Sequence, residues 1–224
     1  MSERKRTSAS SCTTDQPGML DLHPFLSKPS PLLVVISGPS GVGKDSVVKR
    51  MRERNPELHF VVTATTRPPR PSEVPGVDYV FVSDAEFRQW IHNSELLEHA
   101  LVYGEYKGIP RKHIREALDS GKDVVMRLNV QGAKTVKAIL PDALLIFLLA
   151  GSEDELSDRL RRRGTEDDTT LQRRLTIVRQ EMQCISEFDY VVVNREGQLD
   201  RAVEQIEAIV TAERCRTKQR VVRL

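Results

Sequence analysis

The 224-residue sequence predicts an α/β protein in which helices flank a parallel β-sheet. Strand-like segments alternate with longer helical segments from residue 31 onward. Residues 32–36 (LLVVI) and 143–150 (ALLIFLLA) are continuous apolar runs, which is typical of strands buried on both faces of a parallel sheet. No apolar stretch approaches the roughly 20 residues that a membrane span needs, so we expect no membrane-embedded segment.

The net charge and the cysteine positions exclude some kinds of partner and some kinds of fold. The chain has 34 Lys and Arg residues against 32 Asp and Glu residues, so its net charge of +2 would not attract nucleic acid to the chain as a whole. We therefore expect no nucleic-acid partner. The three cysteines lie far apart without a C-x-x-C pair, which excludes a zinc ribbon or a disulfide scaffold and fits a reducing compartment.

The two ends of the chain differ from its centre. Residues 1–30 are rich in Ser and Thr and lack an apolar period, which predicts a disordered leader ahead of a domain over 31–214. This leader has no apolar core of a secretory signal, and its acidic residues are atypical of a transit peptide. The basic tail 215–224 is expected to be solvated and frayed.

The spacing of apolar residues predicts the elements of the domain. In chain order they are strand 32–36, helix 44–54, strand 59–64, strand 78–82, a helix N-capped by Asp84, strand 96–102, helix 111–120, strand 123–128, helix 130–140, strand 143–149, helix 153–163, helix 169–186, strand 190–193 and helix 199–214. The Pro- and Gly-containing stretch 60–105 interrupts the alternation of strands and helices, so we interpret it as an insertion.

A glycine-rich loop between the first strand and the first helix predicts a nucleotide phosphate site. Glycines let backbone N–H groups converge on phosphate oxygens, the helix N-terminus adds its dipole, and the loop lysine reaches the terminal phosphates. The predicted ATP-binding residues are Gly38, Pro39, Ser40, Gly41, Val42, Gly43, Lys44, Asp45 and Ser46.

The metal ligand at this loop is left open by the sequence. Where Ser or Thr normally follows the lysine and binds Mg²⁺, this chain has Asp45 and then Ser46. A carboxylate is also a hard oxygen ligand, so either residue is a candidate Mg²⁺ ligand. The negative charge of Asp45 would weaken nucleotide binding unless Mg²⁺ or an arginine compensates.

A second anion site is predicted downstream. Arg67 and Arg70 lie three residues apart on a proline-stiffened loop, which favours bidentate binding of a phosphate, and Tyr79 offers a further hydrogen bond.

With these motifs in order, the sequence closely resembles the guanylate kinase family. The shared segments are GPSGVGK at 38–44, TTRPPRPSEVPGVDYVFV at 65–82, GEYKG at 104–108, VQG at 130–132 and RRRGTEDDTTLQRRL at 161–175. The resemblance covers about 31–211. It implies a P-loop kinase with a mixed α+β GMP-binding insertion near 63–110 and a helical lid near 155–185.

The resemblance also implies an activity and its residues. The reaction is transfer of the γ-phosphoryl group of ATP to GMP or dGMP with Mg²⁺, and the protein is expected to be a monomer or a weak homodimer. The implied GMP-binding residues are Thr63, Arg67, Arg70, Tyr79, the guanine-reading Glu98, and Lys107. The implied catalytic residues are Lys44, Arg67, Arg70 and the lid arginines Arg163 and Arg174.

Besides Asp45, four positions depart from the usual family pattern: Lys107, Ile109, Arg127 and Asn129. Lys107 can replace a phosphate contact, and Asn129 keeps hydrogen-bonding capacity. Ile109 and Arg127 cannot act as a hydroxyl and a carboxylate, so guanine selectivity is looser or uses other contacts. The combination resembles organelle-type guanylate kinases of plants and algae, which implies a plastid or mitochondrial location, with the cytoplasm as the alternative.

Two other functions fit parts of the sequence. The G-K-D-S ending of the loop at 43–46 also occurs in ribose-bisphosphate-type P-loop kinases. The fold also serves as a non-catalytic interaction module, although such modules typically lack the loop lysine and the lid arginines.

Overall fold

The computed structural model describes residues 30–70, 73–102, 104–163 and 168–224. The predicted leader lies outside the described residues except for Ser30. Within these ranges, no helix is both long and apolar enough to cross a membrane.

Nine strands and seven α-helices make up the described chain. The strands are β1 (Leu33–Ser37), β2 (His59–Phe60), β3 (Thr63–Thr65), β4 (Tyr79–Phe81), β5 (Leu96–Val102), β6 (Glu105–Pro110), β7 (Val124–Arg127), β8 (Leu144–Ala150) and β9 (Tyr190–Asn194). The helices are α1 (Lys44–Arg54), α2 (Asp84–His92), α3 (Arg111–Asp119), α4 (Val130–Ile139), α5 (Glu153–Arg163), α6 (Asp168–Met182) and α7 (Leu199–Arg214), with a 3₁₀ turn at Ile185–Glu187.

The core is a five-stranded parallel sheet in the order β2-β7-β1-β8-β9, as the alternation of strands and helices predicts. Every residue of β1 is buried, because α1 and α7 cover one face of the sheet and α3 and α4 cover the other. All five strands end at the same edge. The loops that follow β1, β7 and β9 therefore lie along this edge, which is where open parallel sheets bind ligands.

A second sheet, in the order β4-β3-β6-β5, occupies the predicted insertion. Two expectations are corrected here. The single strand predicted at 59–64 is two strands, because β2 pairs with β7 in the core sheet while β3 pairs with β4 and β6 in the second sheet. Strand β6 was not predicted, since only a turn was expected at 104–108, and its polar residues pair along β5.

Helix boundaries differ from the prediction at two places. Ser83, not Asp84, is the N-cap of α2, because its hydroxyl accepts a hydrogen bond of 3.1 Å from the backbone N–H of Glu86. The helix predicted at 169–186 ends at Met182, and a 3₁₀ turn continues the chain toward β9.

The basic tail is exposed along residues 214–219, as expected, but it is held at Glu213 and at its end, which corrects the expectation that it is frayed. Glu213 is 2% exposed and accepts hydrogen bonds from Arg220 (2.7 Å), Arg216 (3.1 Å) and the Tyr190 hydroxyl (2.7 Å). Beyond these residues, the side chains of Val222 and Leu224 pack against the core. The acid that holds the tail lies on α7, ahead of the basic run.

Replacing this acid should lower stability. Burial alone would raise the pKa of Glu213, but its hydrogen bonds from Arg220, Tyr190 and Arg216 lower it to about 2. Its stabilising contribution is therefore complete above about pH 4.5 and is lost as the pH falls toward 2. We predict that Glu213→Gln lowers the free energy of unfolding at pH 7 by about 3 kcal/mol. Thermal unfolding from pH 7 to pH 2.5 checks this.

Glu204→Gln is the matched control, because Glu204 lies on the same helix with its side chain 60% exposed. An exposed ion pair contributes at most about 1 kcal/mol. Equal melting temperatures for Glu213→Gln and Glu204→Gln would contradict the docking of the tail.

Candidate functional site

The glycine-rich loop lies between β1 and α1 and is shaped by close backbone contacts. Gly38 has a φ of +135°, and a Cβ at this position would clash with the carbonyl oxygen of Leu148 on β8. The Lys44 ammonium donates to the carbonyl oxygens of Gly38 (2.5 Å) and Pro39 (2.8 Å), so it folds back over the loop. This holds a positive charge where the phosphates of a nucleotide are expected.

The N-terminus of α1 is open to a ligand. Gly43 is its N-cap and forms no side-chain capping hydrogen bond. A cavity of about 310 Å³ adjoins this end, and its lining includes Gly41, Gly43, Ser46, Arg159 and Asn194. A helix N-terminus beside a cavity suits an anion, because it supplies backbone N–H donors and the positive end of the helix dipole.

Two residues that the sequence analysis did not assign to the site hold the loop in place. The Val42 carbonyl oxygen accepts from the Asn194 amide (2.9 Å) and from Arg159 (3.2 Å). Arg159 also donates to the Asn194 carbonyl oxygen (2.9 Å) and pairs with Glu155. Asn194 ends β9, so its position at the carboxyl edge of the sheet was the available sequence signal.

The two candidate metal ligands have different surroundings. The Asp45 carboxylate forms an ion pair with Arg127 at the end of β7, and Ser46 lines the cavity. Among the described residues there is no group of three or more His, Cys, Asp or Glu side chains that could hold a metal ion. This fits Mg²⁺ bound mainly by phosphates and water, which needs one or two protein oxygens.

The two arginines of the predicted second anion site differ in how far they are buried. Arg67 is 7% exposed and donates twice to Glu73, at 2.7 and 2.5 Å, while its guanidinium lies 4.7 Å from the centre of the Tyr79 ring. The hydrogen bond from Arg67 lowers the pKa of Glu73 to about 2. Arg70 is exposed. The pair of arginines predicted to bind a phosphate therefore consists of one buried arginine, held by an acid, and one exposed arginine.

Lys107 lies beside these residues on β6, opposite Thr65 of β3. Burial lowers its pKa, and the positive charges of Arg67, Arg127 and Arg70 add to the effect. The structure thus gathers Lys107 into the same cationic group as the two predicted arginines. Thr63, buried on β3, pairs in register with Tyr79 of β4.

Glu98 is a buried carboxylate on β5, the strand that pairs with β6. It is 6% exposed, and burial raises its pKa to about 7. Among the described residues, no hydrogen bond or ion pair holds its side chain. One of its oxygens is 2.7 Å from the position that a Cβ of Gly132 would take, so any side chain at this position of α4 would have to displace the carboxylate.

Two of the unusual positions have structural roles. The Asn129 side chain caps α4 by accepting from the Gly132 N–H at 2.8 Å, so it preserves the start of this helix. Ile109 is fully buried and packs with Leu97 and Ile114 in the core. It lies opposite Glu98 in the β5–β6 register, and so adds to the apolar surroundings of that strand position.

The predicted lid is described in part. Arg174 lies half-buried on α6, and Leu175 and Val178 of this helix pack into the core cluster that contains Val42 of the loop. Burial raises the pKa of Glu181 near the end of α6, and the positive charge of Lys44 opposes this shift. Arg163 ends α5, and its side chain lies outside the described part of the chain, as do residues 164–167.

Comparison with known proteins identifies the family to which this chain belongs. The guanylate kinase family model matches residues 30–213. The chain belongs to the guanylate kinase family. Its fold is similar to the crystal structure of guanylate kinase from Anaplasma phagocytophilum, with a TM-score of 0.70 and 29% identity over 85% of this chain and 89% of the other.

Curated guanylate kinases match most of the chain. "Guanylate kinase 2, chloroplastic/mitochondrial" of Oryza sativa subsp. japonica is 50% identical over 90% of this chain and 71% of its own length. Guanylate kinase of Gloeobacter violaceus is 46% identical over 81% of this chain and 87% of its own length. The resemblance of the five sequence motifs to this family is therefore confirmed.

The close approach of Gly132 to Glu98 generates a prediction. Gly132→Ala should displace the Glu98 carboxylate and raise the KM for GMP by at least about tenfold, which corresponds to the loss of one charged hydrogen bond. The KM for ATP should stay within a factor of two. Alanine is the better helix former by about 1 kcal/mol, so the melting temperature should not fall. Steady-state kinetics and thermal unfolding check both parts, and an unchanged KM for GMP would contradict the steric argument.

Proposed function

We propose that this guanylate kinase family member transfers the γ-phosphoryl group of ATP to GMP or dGMP and releases ADP and GDP. The observation that carries the proposal is Glu98, a carboxylate 6% exposed that no described residue binds. A buried carboxylate without a partner is costly unless a ligand supplies donors. Guanine offers N1–H and N2–H₂ as an adjacent pair of donors, whereas adenine offers no such pair.

Positive charge would carry the catalysis. In our proposal Lys44 binds the terminal phosphates of ATP, while Arg67, Arg70, Tyr79 and Lys107 bind the phosphate of GMP. The lid arginines Arg163 and Arg174 close on the transferring group and exclude water. Phosphoryl transfer of this kind needs positioning and neutralisation of charge rather than a covalent intermediate.

The divalent metal ion that kinases of this family need is proposed to be Mg²⁺ bound with ATP. Ser46 is the better-placed protein ligand, because it lines the cavity beside the loop while the Asp45 carboxylate is paired with Arg127. When bound, the ion would neutralise charge on the phosphate oxygens.

An acceptor panel tests the proposed function. The protein is incubated with ATP, Mg²⁺ and one of GMP, dGMP, AMP or ribose 1,5-bisphosphate, and ADP and the phosphorylated product are separated by anion-exchange chromatography. We expect turnover with GMP and dGMP only, and a loss of at least a hundredfold in Lys44→Ala, since this lysine stabilises the transferring phosphates. A folded protein that does not phosphorylate GMP would contradict the proposal, and turnover of ribose 1,5-bisphosphate would replace it.

The raised pKa of Glu98 predicts how GMP binding depends on pH. Only the ionised carboxylate accepts from both guanine donors, and its pKa in the nucleotide-free protein is about 7. The KM for GMP should therefore rise as the pH falls below 7, by up to about tenfold per pH unit. Initial rates between pH 5.5 and pH 8.5 check this.

Glu98→Gln is the matched control for that profile, because a phosphate monoester itself titrates near pH 6. The variant should have a KM for GMP raised by about 10- to 100-fold at pH 8 and should lose the part of the pH dependence that Glu98 causes. Identical pH profiles for the two proteins would show that Glu98 does not contact guanine.

We also propose that the protein acts in a plastid or a mitochondrion. The support is its 50% identity to a rice relative whose name gives both compartments. Expression of the full chain with a C-terminal fluorescent protein tests this proposal. Diffuse cytoplasmic fluorescence would favour the alternative location.

A further inference from the structure

Arg127 lies where the donor and acceptor halves of the site meet. It is the last residue of β7, next to β1, and the register pairs it with Ile36, just ahead of the glycine-rich loop. The carboxyl ends of two neighbouring parallel strands with connections on opposite sides form a crevice, which is the usual ligand position in such sheets. Arg127 projects from the edge of that crevice.

Its side chain contacts both halves at once. One guanidinium nitrogen pairs with the carboxylate of Asp45, the residue that directly follows Lys44 in the phosphate loop. The same guanidinium lies 5.1 Å from the centre of the Tyr79 ring, on which Arg67 also lies. The Arg127 side chain is 20% exposed, so it is largely fixed in this position.

The charges around Arg127 indicate a site for an anion. Arg67 and Arg127 both lie against the Tyr79 ring, and the charges of Arg67, Arg127 and Arg70 all contribute to lowering the pKa of Lys107 nearby. Asp45 and Glu73 offset part of this positive charge. Like charges at short range repel one another, and an anion that enters between these cations is attracted to each of them.

We propose that Arg127 is a catalytic residue that contacts the phosphoryl group in transit from ATP to the acceptor phosphate, and that Asp45 is the positioning residue that holds it. The inference rests on the proposed function. In the transfer, an oxygen of the acceptor phosphate forms a bond to the γ-phosphorus while the bond to the β,γ-bridging oxygen breaks and ADP keeps the electron pair. The Arg127 guanidinium neutralises charge on the equatorial oxygens.

A simpler role would make Arg127 only a counter-ion that cancels the charge of Asp45 beside the phosphates. The two roles predict opposite results when both residues are replaced. If Arg127 only neutralises Asp45, removing the acid as well should restore activity. If Arg127 contacts the transferring group, removing the acid cannot replace it.

A double-mutant cycle decides between them, with kcat and both KM values measured for the wild type, Arg127→Met, Asp45→Ser and the double variant. We expect Arg127→Met to lower kcat at least a hundredfold, as for other arginines that stabilise this transition state, with both KM values changed less than fivefold. Asp45→Ser should keep kcat within about tenfold, and the double variant should be as slow as Arg127→Met.

Recovery of kcat in the double variant to within tenfold of the wild type would overturn the proposal. An Arg127→Met kcat within threefold of the wild type would also overturn it, and so would an effect of Arg127→Met confined to the KM for GMP. If Arg127→Met does not fold, Arg127→Lys takes its place with a tenfold fall in kcat as the criterion. Arg50→Met is the control, since Arg50 forms ion pairs with Asp200 and Glu53 that do not involve the proposed site. Wild-type turnover of GMP in the same assay separates failure of the proposed function from failure of this inference.

Discussion

The site depends on holding several positive charges close together before any phosphate is bound. Their mutual repulsion is unfavourable, and it is offset by acceptors that belong to the protein. Two loop carbonyl groups accept from Lys44, Glu73 pairs with Arg67, and Asp45 pairs with Arg127. Each cation is thereby fixed near the place where a phosphate oxygen is expected, so less reorganisation is needed when the nucleotides bind.

Two sheets position the residues of the site, and each sheet fixes a different half of it. The parallel core sheet is buried along β1 and fixes the donor loop against β8. The smaller sheet fixes the acceptor residues, because its register places Thr63 beside Tyr79 and Lys107 beside Thr65. Several contacts join the halves; among them, Arg127 reaches Tyr79 from β7, and Gly132 of α4 lies beneath Glu98.

The sequence predicted the features that depend on contiguous residues. Buried strands, amphipathic helices and the glycine-rich loop are local patterns, and they were found close to their predicted bounds. Features that depend on distant residues were missed or wrong. The contact of Asn194 with Val42 spans 152 positions, and the predicted strand 59–64 is divided because its two parts pair in different sheets. The β5–β6 hairpin and the contacts of Glu213 with the tail are close in sequence, but they depend on polar residues that carry no apolar pattern.

The residues that depart from the family pattern also make contacts that the sequence alone did not predict. From the sequence, Asp45 and Arg127 were two separate departures from the family pattern, and only the structure shows that they form one ion pair across 82 positions of the chain. Asn129 is a helix cap and Ile109 is a core residue. The functional roles of Glu98 and of the lid arginines stay predictions.

The most direct test of this account is a crystal structure of the protein with adenosine and guanosine joined by a chain of five phosphates. The account predicts that Lys44 leaves the loop carbonyl groups and that Arg67 and Arg127 donate to phosphate oxygens, with both Glu98 oxygens accepting from the guanine edge. A complex in which Arg127 remains on Asp45 without touching phosphate, and guanine lies away from Glu98, would contradict it.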